Sequence, residues 1–403
     1  MRILVIYPYA PFPIVSGTFQ RTYHLLRELA QRNTVDFFAL DESGRGGPHV
    51  GVFEEFCERV HLQTFHHPVW PRMFGSRLVH PMPTTVRHWH DAAAHEALAA
   101  FTSGQDYDLI LFCDLVMWPY AKRLPHNCPR VMDRSRVDLM FQTDELRTLP
   151  LNSQERFNRR ENLFKLGFLE RDAARHVAAT VVCGPDDERF LREHVAADAN
   201  IFVLPNGCDP TFFNLETHPP IPQVDPTWLF CGAMDYSPNV DGIGWYFDTV
   251  DPRARSVLPW RRVKIVGKSP TAGVRAQAGL PGVTVTGEVP DVRPHYQSSM
   301  FQIVPLRIGG GTRLKIVESL SIGCPVISTT IGAQGLELRH GEHLLLADTP
   351  LEFATAAVRL AGDSGLRQRL RVAGRQQVLE LYGWPQLGAR LHDYYESLVS
   401  VHA

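Results

Sequence analysis

Residues 301–329 read FQIVPLRIGGGTRLKIVESLSIGCPVIST. The stretch opens on an apolar run and passes through Gly309, Gly310 and Gly311. It then takes up a helical period and closes on a second apolar run. That order predicts one strand–helix–strand unit, with FQIVP as a strand, TRLKIVESLSI as a helix and PVIST as the next parallel strand. Gly323 is placed to cap the helix and Pro325 to stop it. At about 100° per residue, Leu314, Val317 and Leu320 share an apolar face, and Arg313 falls on the same side. In open parallel sheets ligands bind beyond the carboxyl ends of strands, and the loop Gly309, Gly310, Gly311, Thr312 lies at such an end. Its backbone N–H groups and the positive end of the helix dipole converge there as an anion cradle. It is not a Walker P-loop, because GxxxxGK[ST] is absent. Glu318 stands nearly over Gly311, roughly 10 Å further along the axis, within reach of sugar hydroxyls. Two readings stay open. The loop with Arg313, Lys315 and Glu318 is a ligand site, or the glycines form a plain turn and Glu318 pairs with Lys315.

Outward from this unit the pattern repeats. ILVIY, VDFFAL, LILFC, RVMD, ATVVC and IFVLP read as strands in the first half, and TWLFCG, VKIVG, VTVTG, FQIVP, PVIST and HLLLA in the second. Helical stretches separate them, so the fold class is α/β, with two Rossmann-like parallel-sheet domains facing a cleft. The proline-rich PTFFNLETHPPIPQVDPTW reads as the linker. The expected domains are 1–208, rejoined by a terminal helix over 385–403, and 209–384. In that helix Leu387, Leu391, Tyr394, Tyr395 and Leu398 recur at helical spacing.

The 403 residues suit two domains of this size. With 41 basic and 43 acidic residues the formal charge is −2, which argues against a general nucleic-acid partner. Seven cysteines are scattered with no CxxC pair, as in buried thiols of a reducing compartment, and no metal site is suggested. The opening MRILVIYPY reads as a first strand and not as a signal peptide, and no apolar run reaches membrane-spanning length. The expected location is cytoplasmic, with peripheral contact at a membrane face as an option. That option rests on the segment 66–90, where Trp70, Phe74 and Trp89 would sit at the interface, or else pack on the domain as an irregular excursion. His66, His67, His88 and His90 lack a metal-ligand frame.

The stretch PLRIGGGTRLKIVESLSIGCPVISTTIGAQGLEL resembles the donor-sugar signature of family-four glycosyltransferases, retaining enzymes of the two-Rossmann GT-B fold. Within the family it looks most like bacterial sugar transferases of exopolysaccharide and related glycan assembly. LPNGCDPTFF, LFCGAMDYSPNVDGIGWYF, VKIVGKSP, VTVTGEVPD and YGWPQLGARL resemble further landmarks in the family's order. The resemblance implies that Glu318 binds the ribose of a nucleotide-sugar and that the loop amides, Arg313 and Lys315 bind its diphosphate. It further implies a donor pocket edged by Gly232, Gly267 and Gly287, with Val289 and Pro290 at the nucleobase. No metal or other cofactor is required by that arrangement. The acceptor side would use Ser16, Gly17, Asp133 and Asn206, and the acceptor would be a glycan, a lipid-linked species or a small molecule.

Three positions depart from the family pattern. The family often carries a second glutamate eight residues before the first, where this chain has Gly310. The loop GAMDYSPNVDG lacks the arginine and lysine of many members. A histidine common after a first-domain strand is replaced by Cys113, followed by Asp114. Asp114 is the candidate for orienting the acceptor, or an exposed loop carboxylate. Asp133, Arg134, Arg136 and Asp138 gather charge at a strand end, as a site or as a set of structural ion pairs. Two rival functions follow from the departures: a nucleotide-sugar-binding scaffold protein without turnover, and an epimerase on the same fold.

Overall fold

A computed structural model describes residues 1–12, 17–42, 44, 49–67, 80–125, 127–148, 150, 153–221, 226–308 and 313–402. The chain divides into two compact units, Met1–Pro205 with Leu387–Ala403, and Asn206–Gln386. The sequence reading set these divisions at 208/209 and 384/385.

The first unit is built on seven strands: β1 (Arg2–Tyr7), β2 (Thr34–Asp41), β3 (Arg59–Thr64), β4 (Leu109–Cys113), β5 (Arg130–Arg134), β6 (Ala179–Val182) and β7 (Ile201–Val203). Their order is β3-β2-β1-β4-β5-β6-β7 and every pairing is parallel. The sequence reading missed β3. RVHLQT is a half-buried edge strand in which only Val60 and Leu62 are apolar, so it lacks the continuous run that marks a central parallel strand. The helices used below are α1 (Gly17–Ala30), α2 (Asp138–Thr148), α3 (Gln154–His176) and α4 (Pro185–His194).

In α1 the buried residues are Arg21, Thr22, His24, Leu25, Leu26, Glu28 and Leu29. The buried face thus carries charged and polar residues beside Leu25, Leu26 and Leu29. Arg21 is held there by Asp133 near the end of β5, to which its guanidinium donates.

The second unit carries β8 (Thr227–Cys231), β9 (Arg262–Val266), β10 (Val283–Gly287), β11 (Phe301–Val304), β12 (Val326–Ser328) and β13 (Leu345–Leu346), in the order β10-β9-β8-β11-β12-β13, again all parallel. Side chains alternate between two cores. Trp228 and Phe230 enter one, while Leu229 and Cys231 enter the other, so helices cover both faces of the sheet. The helices needed here are α5 (Ser237–Trp245), α6 (Leu314–Ser321) and α7 (Ser364–Tyr382). A last helix, α8 (Trp384–His402), begins at the division between the units. Its Leu387, Leu391, Tyr395 and Leu398 are buried, and Tyr394 stacks on Phe202 of β7 at 4.2 Å.

Two local results bear on the opening stretch. Helix α6 ends in a Schellman motif, with Gly323 at φ 77°, its N–H bonded to Leu320 O and the Cys324 N–H to Ser319 O. Its buried face is Ile316, Val317, Ser319, Leu320 and Ser321; Leu314 is half-buried at the first position of the helix, which starts two residues later than the pattern suggested. The segment read as a linker is packed on the second unit. Phe213 is 5% exposed in its core, Ile221 N–H bonds Gln297 O, and Arg293 lies 4.0 Å from the Phe212 ring.

Candidate functional site

A doubly wound sheet opens a crevice where successive crossovers reverse direction, at the carboxyl ends of the two strands that flank the reversal. In the second unit those strands are β8 and β11. β8 is followed by Gly232 and β9 by Gly267, and β10 ends on Gly287; their φ values are 156°, 151° and 74°. The Gly232 N–H bonds Val266 O, and the Gly267 N–H bonds Gly287 O. A Cβ on Gly267 would overlap the Gly232 carbonyl oxygen, so this edge is tight enough to require glycine.

Lys315, in the first turn of α6, reaches that edge. Its Nζ donates to Asn239 Oδ1 at 2.6 Å and lies 4.5 Å from the centre of the Phe230 ring. A Cβ on Gly232 would stand 3.0 Å from the same Nζ. Asn239, on α5, is oriented by its own donation to Ala233 O at 2.7 Å. Burial pulls the Lys315 ammonium down to about 8, the Arg313 charge adds to the drop, and Cys231 and Glu318 oppose it. Arg313 caps α6, is 5% exposed and donates to Ile331 O at 3.4 Å. Glu318 is half-buried, and its charge pushes up the Cys231, Cys208 and Tyr296 groups as well as Lys315. Val289 packs on the core of this unit and Pro290 is exposed beyond β10.

Gly309, Gly310, Gly311, Thr312 and Ser16 lie outside the described residues. The structure thus brings Gly232, Gly267, Lys315 and Asn239 together. Asn239 and Phe230 were missed in the sequence; an asparagine in the helix after the first strand of this unit is the signal that could have found them.

In the first unit the reversal lies between β1 and β4. Asp114 follows β4 directly, with φ 57° and ψ 160°, a backbone conformation costly for any residue but glycine. Its carboxylate accepts from the Ser135 N–H at 3.2 Å and the Ser135 hydroxyl at 3.1 Å. Asp114 is half-buried towards solvent yet closely surrounded by protein atoms, and burial pushes its carboxyl up to about 7, with the Asp138 and Asp133 charges helping and Arg134 and Ser135 opposing.

The charges around it resolve into pairs. Asp133 is bound by Arg21 at 2.6 Å, and Arg134 forks onto Glu170 at 2.7 and 3.0 Å, both pairs buried. Arg136 and Asp138 pair at 2.7 Å on the surface. Asp133 is therefore committed to a structural ion pair. Gly17 opens α1 and is half-buried, and Asn206 opens the second unit, not the first. Trp89, offered as an interface residue, instead stacks on Phe65 at 5.7 Å. Trp70 and Phe74 lie outside the described residues.

The Asp114 carboxyl titrates far above the unfolded value, so the folded state binds the extra proton between about pH 4 and pH 7, and stability falls as pH rises through that window. Asp114→Asn keeps the Ser135 contacts and removes the cost. Melting should rise by roughly 2–4 °C per kcal/mol relieved at pH 8, and show no gain at pH 4. Equal gains at both pH values would show that the carboxylate is not held under this strain.

Residues 225–363 match the family model described as "Glycosyl transferases group 1". The match lies within the second unit. A phosphatidyl-myo-inositol mannosyltransferase of Mycobacterium leprae (strain TN) is 26% identical to the chain over 221 residues, 53% of this chain and 57% of that protein. An uncharacterized 44.6 kDa protein in the cps region of Klebsiella pneumoniae is 23% identical over 150 residues, 35% of this chain and 38% of that protein. The chain thus spans about half the length, or less, of these curated relatives. Among solved structures, sucrose-phosphate synthase from Thermosynechococcus elongatus matches with a TM-score of 0.67 and 18% identity over 100% of both chains. Anabaena Alr3699/HepE in complex with UDP and glucose matches with a TM-score of 0.63 and 12% identity, over 98% of this chain and 99% of that one. At these identities the structures establish the shared fold. The resemblance to family-four glycosyltransferases and the two-sheet GT-B class, both read from the sequence, therefore stand. Among the described residues no helix is long and apolar enough to cross a membrane.

Proposed function

We propose that the chain is a retaining glycosyltransferase that moves a sugar from a nucleotide-diphosphate donor to a hydroxyl acceptor in glycan assembly. The observation that carries this reading is Lys315, a cation partly stripped of water and aimed at the glycine-lined edge of the β8–β11 reversal. Among the described residues no carboxylate lies at hydrogen-bond distance from this half-buried ammonium, and such a group gains most from an anion brought to it. A diphosphate there meets Lys315 and Arg313 at the start of α6, where the helix dipole adds to the same field. Those charges stabilise the leaving group as its bond to the sugar breaks. Glu318, two turns along α6, accepts from the ribose hydroxyls. On the first unit, Asp114 orients the acceptor hydroxyl, and its raised pKa suits a group that holds or passes a proton near neutrality. The donor set calls for no cofactor.

Support for the donor class comes from Alr3699/HepE, whose structure contains UDP and glucose. Support for glycan assembly comes from the mannosyltransferase and the cps-region protein. The test is a melting panel with UDP, GDP, TDP, ADP and CMP on wild type and Glu318→Ala. One nucleotide is expected to raise the melting temperature of the wild type, by linkage, and to do so much less in the variant. Donor hydrolysis or transfer with that nucleotide's sugars then separates an enzyme from a binding scaffold, and isomerisation without acceptor would indicate an epimerase. No shift with any nucleotide would remove the donor assignment.

A further inference from the structure

In the second unit the sharp exits from β8, β9 and β10 are filled by glycine, at 232, 267 and 287. At the exit from β4 the chain places Asp114 instead, at φ 57°. Among the described residues Asp114 and Ser269 are the two that are not glycine and have positive φ. With ψ at 160° the Asp114 backbone lies in a region that belongs almost to glycine alone, and such a conformation persists only where its surroundings over-determine it. Here the Asp114 N–H donates to Asp133 O at 2.8 Å, and the Asp114 carbonyl accepts from the Met117 N–H at 3.1 Å. Those two bonds would hold a glycine equally well. What a glycine could not supply is the carboxylate.

That carboxylate is gripped by one residue. The Ser135 N–H donates to Oδ1 at 3.2 Å and the Ser135 hydroxyl to Oδ2 at 3.1 Å, so each oxygen accepts once and the plane of the group is fixed. A carboxylate offers about four lone-pair sites, which leaves one on each oxygen for an incoming hydroxyl. Among the described residues the Ser135 hydroxyl has no other partner, and the Ser135 carbonyl accepts from the Cys183 thiol, between β6 and α4, at 3.6 Å. The neighbouring acids are each committed to an arginine: Asp133 to Arg21, Asp138 of α2 to Arg136, and Glu170 of α3 to Arg134. Asp114 has no cation at ion-pair distance among the described residues, and its contacts are those with Ser135.

We propose that Ser135 is the positioning residue of Asp114, dedicated to aiming its carboxylate at the acceptor hydroxyl. The inference rests on the acceptor-side reading of Asp114 and adds the residue through which that carboxylate is directed. The other titratable and charged groups that face Asp114 are Asp138 of α2, Arg134 and Asp133 of β5, Cys113, Cys183, Tyr7 and Tyr9. Burial and the Asp138 and Asp133 charges oppose the ionised carboxylate, whereas Arg134 and the Ser135 hydroxyl favour it. Removing the hydroxyl therefore raises the proton affinity of Asp114, while threonine, which keeps a hydroxyl, does not.

Carbon-13 NMR of the aspartate carboxyls, with the Asp114 signal assigned by its loss in Asp114→Asn, reads this without any ligand. Ser135→Ala should bind the Asp114 proton about tenfold more tightly than wild type, and Ser135→Thr about as tightly as wild type. The second arm follows release of nucleotide from UDP-glucose, or from the glucose ester of whichever nucleoside diphosphate raises the melting temperature. The acid limb of kcat should move upward by about one in pH in Ser135→Ala and return in Ser135→Thr. KM for the donor should not change, since the donor groups lie in the second unit. An Asp114 titration unmoved by Ser135→Ala overturns the proposal, whatever the chain transfers. A moved titration with an unmoved rate profile also overturns it, by removing Asp114 from transfer while the donor reading stands. Equal loss of rate at every pH in both Ser135 variants would make Ser135 a packing residue only. No turnover by wild type is the failure of the transfer reading itself, and the proposal falls with it.

Discussion

Lys315→Met is expected to melt at pH 7 at least as high as wild type without ligand, while losing most of its affinity for nucleoside diphosphates. In the folded chain burial holds the Lys315 ammonium near 8, below its ordinary value of 10.5. The folded state therefore binds fewer protons than the unfolded chain between about pH 8 and pH 10.5, so wild-type stability rises with pH across that window. The penalty is fully present below pH 8, and methionine, unbranched and apolar, removes it. A diphosphate reverses the balance, since it supplies the charge that burial withholds. Hydrogen bonds to charged groups contribute about 1.5–3 kcal/mol, so the variant should bind diphosphates on the order of 10- to 100-fold more weakly. Wild-type affinity should also fall as pH rises above about 8, and the variant's should not. Calorimetric titration against a nucleoside without phosphates is the control. If nucleoside and nucleoside diphosphate weaken equally, Lys315 does not face the phosphates.

The second large effect is on the fold of the first unit. Asp133→Asn takes away the carboxylate that Arg21, fully buried, binds at 2.6 Å. Breaking a buried pair from one side costs about 3–5 kcal/mol, which is enough to halve the stability of an ordinary domain. Replacing both partners by apolar residues, as in Arg21→Met/Asp133→Leu, should recover much of the loss. An acceptor-binding role for Asp133, the expectation raised by its position at a strand end, predicts the opposite pattern: an unchanged melt and a raised KM for acceptor. Urea denaturation of the three proteins decides between them, and a single variant as stable as wild type would sink the structural assignment.

These cases show where the linear chain is informative and where it stops. The strand–helix–strand unit at 301–329 was legible because each of its signals is local. β-branched and aromatic runs mark the strands, and a glycine at positive φ followed by proline ends the helix. The two-sheet class followed by repetition of the same pattern. β3 was not legible, because an edge strand needs only half the apolar residues of a central one. The linker was misread because prolines report what the chain cannot form, helix or central strand, and not what it packs against. Phe213 shows that such a segment can enter a core.

The site divides in the same manner. The α6 segment bearing Arg313, Lys315 and Glu318 could be chosen from sequence, since an anion cradle needs a strand end, glycines and a helix start in succession. The partner that aims Lys315 could not, because Asn239 lies 76 residues away and meets it only where β8 and β11 are brought side by side. The same holds for Arg21 and Asp133, separated by 112 residues, and for the reassignment of Asp133 from ligand contact to ion pair. By itself the sequence determined the secondary-structure alternation, the fold class and the segment proposed to carry the donor chemistry, all of which rest on short-range periodicity and turn stereochemistry. Only the tertiary structure decided which charges are already satisfied within the protein, because pairing and burial depend on residues distant in the chain that parallel crossovers bring to one edge.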